Sequence, residues 1–71
     1  MPAPHPLARR IHDRVLQLVG TAMMKAEMAE QLARLGRHDE LPATLVELRL
    51  VLDDTVVELR SIMADLKNQA A

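Results

Sequence analysis

Apolar residues return along this chain at steps of three and four. From the middle to the end, Leu45, Leu48, Leu52, Thr55, Leu59, Ile62 and Leu66 form one line, the spacing of a helix face in a bundle or coiled coil. A second line, Val46, Leu50 and Val57, lies well round from it. Upstream, Ile11, Val15, Leu18, Ala22, Ala29 and Leu32 make one stripe, with Leu16, Val19, Met23, Ala26 and Ala33 beside it. Between Leu7 and Leu35 the only helix breaker is Gly20, which predicts a helix of about 29 residues, roughly 43 Å long. Gly36 is placed to stop it, with Arg34 and Arg37 at the negative end of its dipole. Asp39 is placed to cap a second helix, with Glu40 in its first turn and Pro42 tolerated only there. The pattern predicts an all-α fold, an antiparallel helical hairpin over 7–69: helix 1 at about 7–35, a loop at 36–39 and helix 2 at about 40–68. Residues 1–6, with prolines at positions 2, 4 and 6, read as a lead-in that is not helical.

The two stripes of helix 1 together span an arc approaching half its circumference. One partner helix covers a narrower seam than that. The excess is met most simply by a homodimer, two hairpins forming one four-helix bundle. The competing solution is a longer chain whose remainder covers the surface.

Composition narrows the options. The chain has 71 residues, no cysteine, no aromatic residue and a net charge of −1. One domain at most fits this length, and disulfides cannot support it. His5, His12 and His38 are not at a usual zinc spacing, so no metal site is expected. The charge balance and the missing aromatics argue against nucleic acid as a partner. No signal-like segment or membrane-length apolar run is present, and a cytoplasmic location is the expectation.

One segment could carry chemistry: Arg9-Arg10-Ile11-His12-Asp13-Arg14-Val15-Leu16-Gln17. On a regular helix Asp13 and Gln17 share a face, His12 stands about 100° away, and Gly20 leaves the next turn low for an approaching partner. A nucleophilic imidazole attacks through one nitrogen while the other holds its proton and is oriented, as an adjacent carboxylate can do. A carboxamide one turn on can orient a water. Arg9, Arg10 and Arg14 can attract phosphate oxygens. The same residues also fit plainer roles: a solvated His–Asp pair, a histidine packed in the bundle, or an ordinary charged face. His5 and His38 read as solvated, Met23, Met24, Met28 and Met63 as adaptable bundle packing, and Asp53-Asp54 as part of a solvated face.

These residues resemble the phosphoacceptor box of two-component sensor histidine kinases of the nitrate-sensor and DesK-like class, whose pattern is roughly I-A-R-E-L-H-D-x-x-x-Q. The run Val57-Glu58-Leu59-Arg60 through Leu66 is similar to the family's second helix. The resemblance covers about Leu7 to Leu66. It implies a dimerisation and histidine-phosphotransfer domain, in which His12 takes the γ-phosphoryl group of ATP and passes it to an aspartate of a response-regulator receiver domain. By the same resemblance Asp13 is the base or orienting carboxylate, and Gln17 positions water for dephosphorylation of the regulator. Two positions depart from the family: Arg10 stands where it usually has Glu, and Pro6 where Arg is common.

No ATP-binding boxes are present, so the chain alone is not expected to be an active kinase. It holds no cofactor of its own, and ATP and magnesium belong to a separate catalytic domain of the same kinase. A hairpin that only dimerises, without phosphotransfer, is the alternative function. A monomeric phosphotransfer protein would need four helices in one chain.

Overall fold

The structure is a computed structural model, which describes residues 5–70. It contains α1 (Pro6–Arg10), a π-helical turn (Ile11–Val15), α2 (Leu16–Arg34) and α3 (Leu41–Ala70). The first three run on as one arm, and α3 returns antiparallel beside it. The all-α hairpin expected from the periodicity is therefore what forms. Its extents are 52 × 26 × 10 Å. A thickness of one helix diameter means a single layer of two rods.

The limits differ from expectation in three places. Pro6 is helical, because the first turn has no need of its missing N–H, and the His5 side chain caps that turn by accepting from the Leu7 N–H at 3.1 Å. Residues 1–4 of the expected lead-in lie outside the described residues. Helix 1 is not a uniform α-helix, since the π turn interrupts it. Helix 2 begins at Leu41, with Pro42 in its first turn as its lack of an N–H requires.

Gly36 ends the first arm. It has φ +71°, and the Gly36 N–H donates to Ala33 O at 3.2 Å while the Arg37 N–H donates to Leu32 O at 2.9 Å. These two bonds satisfy carbonyls that the helix end leaves open, the Schellman arrangement. Gly20, by contrast, lies in regular helix with nothing within 4 Å of an added Cβ. The two glycines should respond oppositely to alanine. Gly36→Ala is expected to cost about 1 kcal/mol, because an L side chain is strained at this φ, whereas Gly20→Ala gains up to about 1 kcal/mol of helix propensity. Chemical denaturation of both variants checks this, and shifts of the same sign would contradict it.

The seam between the arms is narrow. Leu7, Val15, Ala22, Ala29 and Ile62 are its buried apolar residues, and Thr44 and Thr55 join them. Both threonine hydroxyls donate to carbonyls four residues back, Glu40 O at 3.4 Å and Val51 O at 2.8 Å, so neither is left unpaired. Lys25 reaches across to Glu47 at 2.9 Å.

Along α3 the side chains turned toward the first arm are Leu41, Thr44, Leu48, Val51, Thr55, Glu58, Ile62 and Asp65. Only Leu48, Thr55 and Ile62 of the line read from the sequence lie among them. Its other members, Leu45, Leu52, Leu59 and Leu66, are 46, 45, 39 and 47 % exposed. They trail the seam by four residues. In an antiparallel pair, the lines that trail the seam by four on each helix emerge on the same side. On α2 that line is Val19, Ala26 and Ala33, with Leu16 and Met23 just beyond. The hairpin thus has one broad apolar side, built from the stripe beside the first on helix 1 and from the four leucines of helix 2.

Candidate functional site

The π turn holds the chemistry. The Leu16 N–H donates to Ile11 O, five residues back. Such a turn accommodates one residue more than an α-turn, so it acts as a one-residue insertion in the helix. The packing records this. Counting back by sevens from Ala29 and Ala22 to Val15 leads to Ala8, yet Ala8 is exposed and Leu7 is buried at 4 %. Ile11, which the periodicity placed in the seam stripe, is 41 % exposed. α1 is rotated by about 100° relative to a continuous α-helix.

That rotation relocates the histidine. On a continuous α-helix His12 and Gln17, five apart, would point about 140° from one another. Across a π turn they stand about 40° apart, as residues four apart do in an α-helix. His12 and Gln17 therefore look out of the same side, together with Gly20 one turn on. The His12 side chain is 80 % exposed, and its Nδ1 lies 3.0 Å from Asp13 Oδ1. Within the single hairpin the pair is open to solvent and packs against neither arm. When Nδ1–H donates to Asp13, Nε2 is left with its lone pair directed to solvent. Asp13 is 64 % exposed and keeps oxygen capacity for a further donor.

The arginines divide. Arg9 lines a shallow hollow of about 350 Å³ together with Ala8, His12 and Asp13. Arg14 is exposed on the π turn. Arg10 faces α3 instead. Its guanidinium donates to Glu58 Oε1 at 3.1 and 3.3 Å, to Ser61 Oγ at 3.0 Å and to Asp65 Oδ2. The hydrogen bond to Asp65, then that to Glu58, raises its pKa above the ordinary arginine value. Its charge is thus committed to two carboxylates and does not join the phosphate-attracting group the sequence suggested.

Glu58, Ser61 and Asp65 lie outside the segment that the sequence marks as chemical. The sequence carries no signal for them, because the π turn sets the phase that brings Arg10 onto the seam, and apolar residues are available for either phase. His5 caps α1, and His38 is exposed between the arms. Among the described residues no three His, Asp or Glu side chains gather to hold a metal ion, and no helix is long and apolar enough to cross a membrane.

Comparison with known proteins gives the family. No curated protein and no solved structure matches the chain. One family model does, with the description histidine kinase, and it spans residues 5–71. That range takes in the whole hairpin, the His12–Asp13 pair and Gln17 alike, and the chain belongs to the histidine kinase dimerisation and phosphoacceptor domain family of the nitrate-sensor and DesK class.

Proposed function

We propose that this hairpin is the phosphoacceptor of a two-component sensor kinase and works as a homodimer. The observation that carries the reading is the solvent-facing His12 with Nδ1 held 3.0 Å from Asp13. His12 Nε2 attacks the γ-phosphorus of ATP presented by a separate catalytic domain, which would also supply magnesium. The N–P bond forms as the bond to the ADP oxygen breaks. Asp13 accepts the hydrogen bond of Nδ1–H, which keeps its proton, and stabilises the positive charge that develops on the ring. Arg9 and Arg14 attract the phosphoryl oxygens. The phosphoryl group then passes to an aspartate of a receiver domain, which restores neutral His12. In the reverse sense of signalling, Gln17 orients the water that hydrolyses the receiver's acyl phosphate, and the shared face of His12 and Gln17 suits that use.

The open apolar side supports the homodimer. Among the described residues, a layer one helix thick buries five apolar residues and leaves sixteen large ones exposed, and chains this small often rely on association. Two such sides face to face make a four-helix bundle.

The test is to supply the catalytic domain of the same kinase with ATP in trans. Acid-labile phosphate is expected on the wild-type chain and absent from His12→Gln, with helical content and dimer mass unchanged. Phosphate retained on the glutamine variant would overturn the assignment. A wild-type chain that dimerises but neither accepts nor donates phosphate would mark a purely structural hairpin.

A further inference from the structure

Two helical phases are open to the start of this chain. In a continuous α-helix, the sevenfold count from Val15 places Ala8 in the seam, with Ile11 beside it. Both are apolar, so nothing in hydrophobic pattern alone forbids that phase. In the observed phase Leu7 and Arg10 take those places, and Leu7 packs with Val15 and Ile62. Arg10 then spans Glu58, Ser61 and Asp65, three α3 residues that line one stripe over nearly two turns. The continuous phase would turn Arg10 by about 100°, off α3, leaving Glu58 and Asp65 without their cation. It would also carry His12 onto the line that trails the seam by four, the line of Val19 and Ala26, at the edge of the apolar side. In the observed phase His12 is 80 % exposed instead.

We propose that Arg10 is a positioning residue for the phosphoacceptor. By clamping the end of α1 to Glu58, Ser61 and Asp65, it holds the π turn, and the π turn keeps His12 out of the dimer-facing side and in line with Gln17. This rests on the phosphoacceptor reading for its purpose, but the clamp itself is a matter of geometry. A planar guanidinium suits it, since it offers several donors in a fixed fork where an ammonium offers a point charge.

The test uses the chain's three histidines as reporters. Diethyl pyrocarbonate is applied to the full chain, and modification of His5, His12 and His38 is read by mass spectrometry. In Arg10→Ala, the His12 rate is expected to fall about tenfold while His38, in the loop, stays constant. Mere fraying of α1 would leave His12 as reactive as before or more so. An unchanged or faster His12 rate in a helical Arg10→Ala therefore overturns the clamp. The charge-exchanged variant, Arg10→Glu with Glu58→Arg and Asp65→Arg, is expected to restore the wild-type His12 rate. Should Arg10→Ala lose its helical signal, that triple variant decides alone: a wild-type rate upholds the clamp, and a low rate or failure to fold overturns it.

Phosphorylation by phosphoramidate, which needs no catalytic domain, gives the functional arm. Loading of His12 should fall and recover in step with the pyrocarbonate rate, and loading unaffected by Arg10→Ala would deny the clamp its role. If wild-type His12 takes no phosphate at all, the phosphoacceptor reading fails, while the pyrocarbonate comparison still decides the clamp.

Discussion

Asp13→Asn is expected to slow phosphorylation of His12 by about 10²–10⁴-fold, the range of a positioned acid–base group, while leaving the fold intact. Asp13 is 64 % exposed and its contact in the structure is the His12 ring, so folding depends on it little. In the proposed reaction it acts twice. An ionised carboxylate accepts the Nδ1 proton's hydrogen bond, which leaves Nε2 as the nucleophile. It also offsets the positive charge that builds on the ring as the N–P bond forms. Asparagine keeps the shape but carries no charge. Its NH₂ group can donate to Nδ1 and so favour the tautomer in which Nε2 holds the proton and cannot attack. The measurement is the initial rate of acid-labile phosphate incorporation at fixed catalytic domain and ATP. A rate within threefold of wild type would make Asp13 a bystander.

The second large effect separates two leucines that look alike in the single hairpin. Leu52 is 45 % exposed and Leu50 52 % exposed, yet they point about 160° apart on α3. Leu52 lies on the broad apolar side with Leu45, Leu59 and Leu66, and Leu50 lies on the far side. Leu52→Glu removes one buried leucine from each copy. At about 1.5–3 kcal/mol per side chain this is roughly 3–6 kcal/mol per dimer, before the cost of setting two carboxylates in the interface. A typical domain is stable by only about 5–15 kcal/mol, so the dimer is expected to dissociate, with helical signal falling as it does. Leu50→Glu should keep both mass and helicity. Sedimentation velocity with circular dichroism at matched concentrations reads both, and a Leu52→Glu chain that remains a full-mass dimer would refute the packing.

What could be read in advance followed the reach of each physical signal. Helix periodicity, Gly36 as the stop and Pro42 at the second start are short-range effects of backbone geometry, and they placed the two arms within a few residues. The pair His12–Asp13 is adjacent in the chain, so its contact needed no tertiary knowledge. The division of the apolar positions into seam and open side was not legible. Leu48 and Leu52 are equally hydrophobic, and only the partner arm's position decides which is covered. Arg10 shows the same limit for charge. Beside His12 it reads as part of a basic cluster, but Glu58 and Asp65 lie about fifty residues on in sequence, and pairing at that distance requires the hairpin. The π turn left only an arithmetic trace, because the sevenfold count that holds from Ala29 to Val15 misses Leu7 by one.

That missing residue sets a rule for anyone joining another helix to this domain. A coiled coil grafted upstream in phase with Ala8, as uninterrupted heptads would dictate, would arrive turned by about 100° and short by about 1.5 Å. It would press against the π turn with every heptad it adds. Grafted in phase with Leu7, the same coiled coil would feed smoothly into the seam. Two fusions that differ by a single inserted residue at the junction should therefore deliver the histidine in opposite settings, which makes the junction length a handle for switching the domain by design.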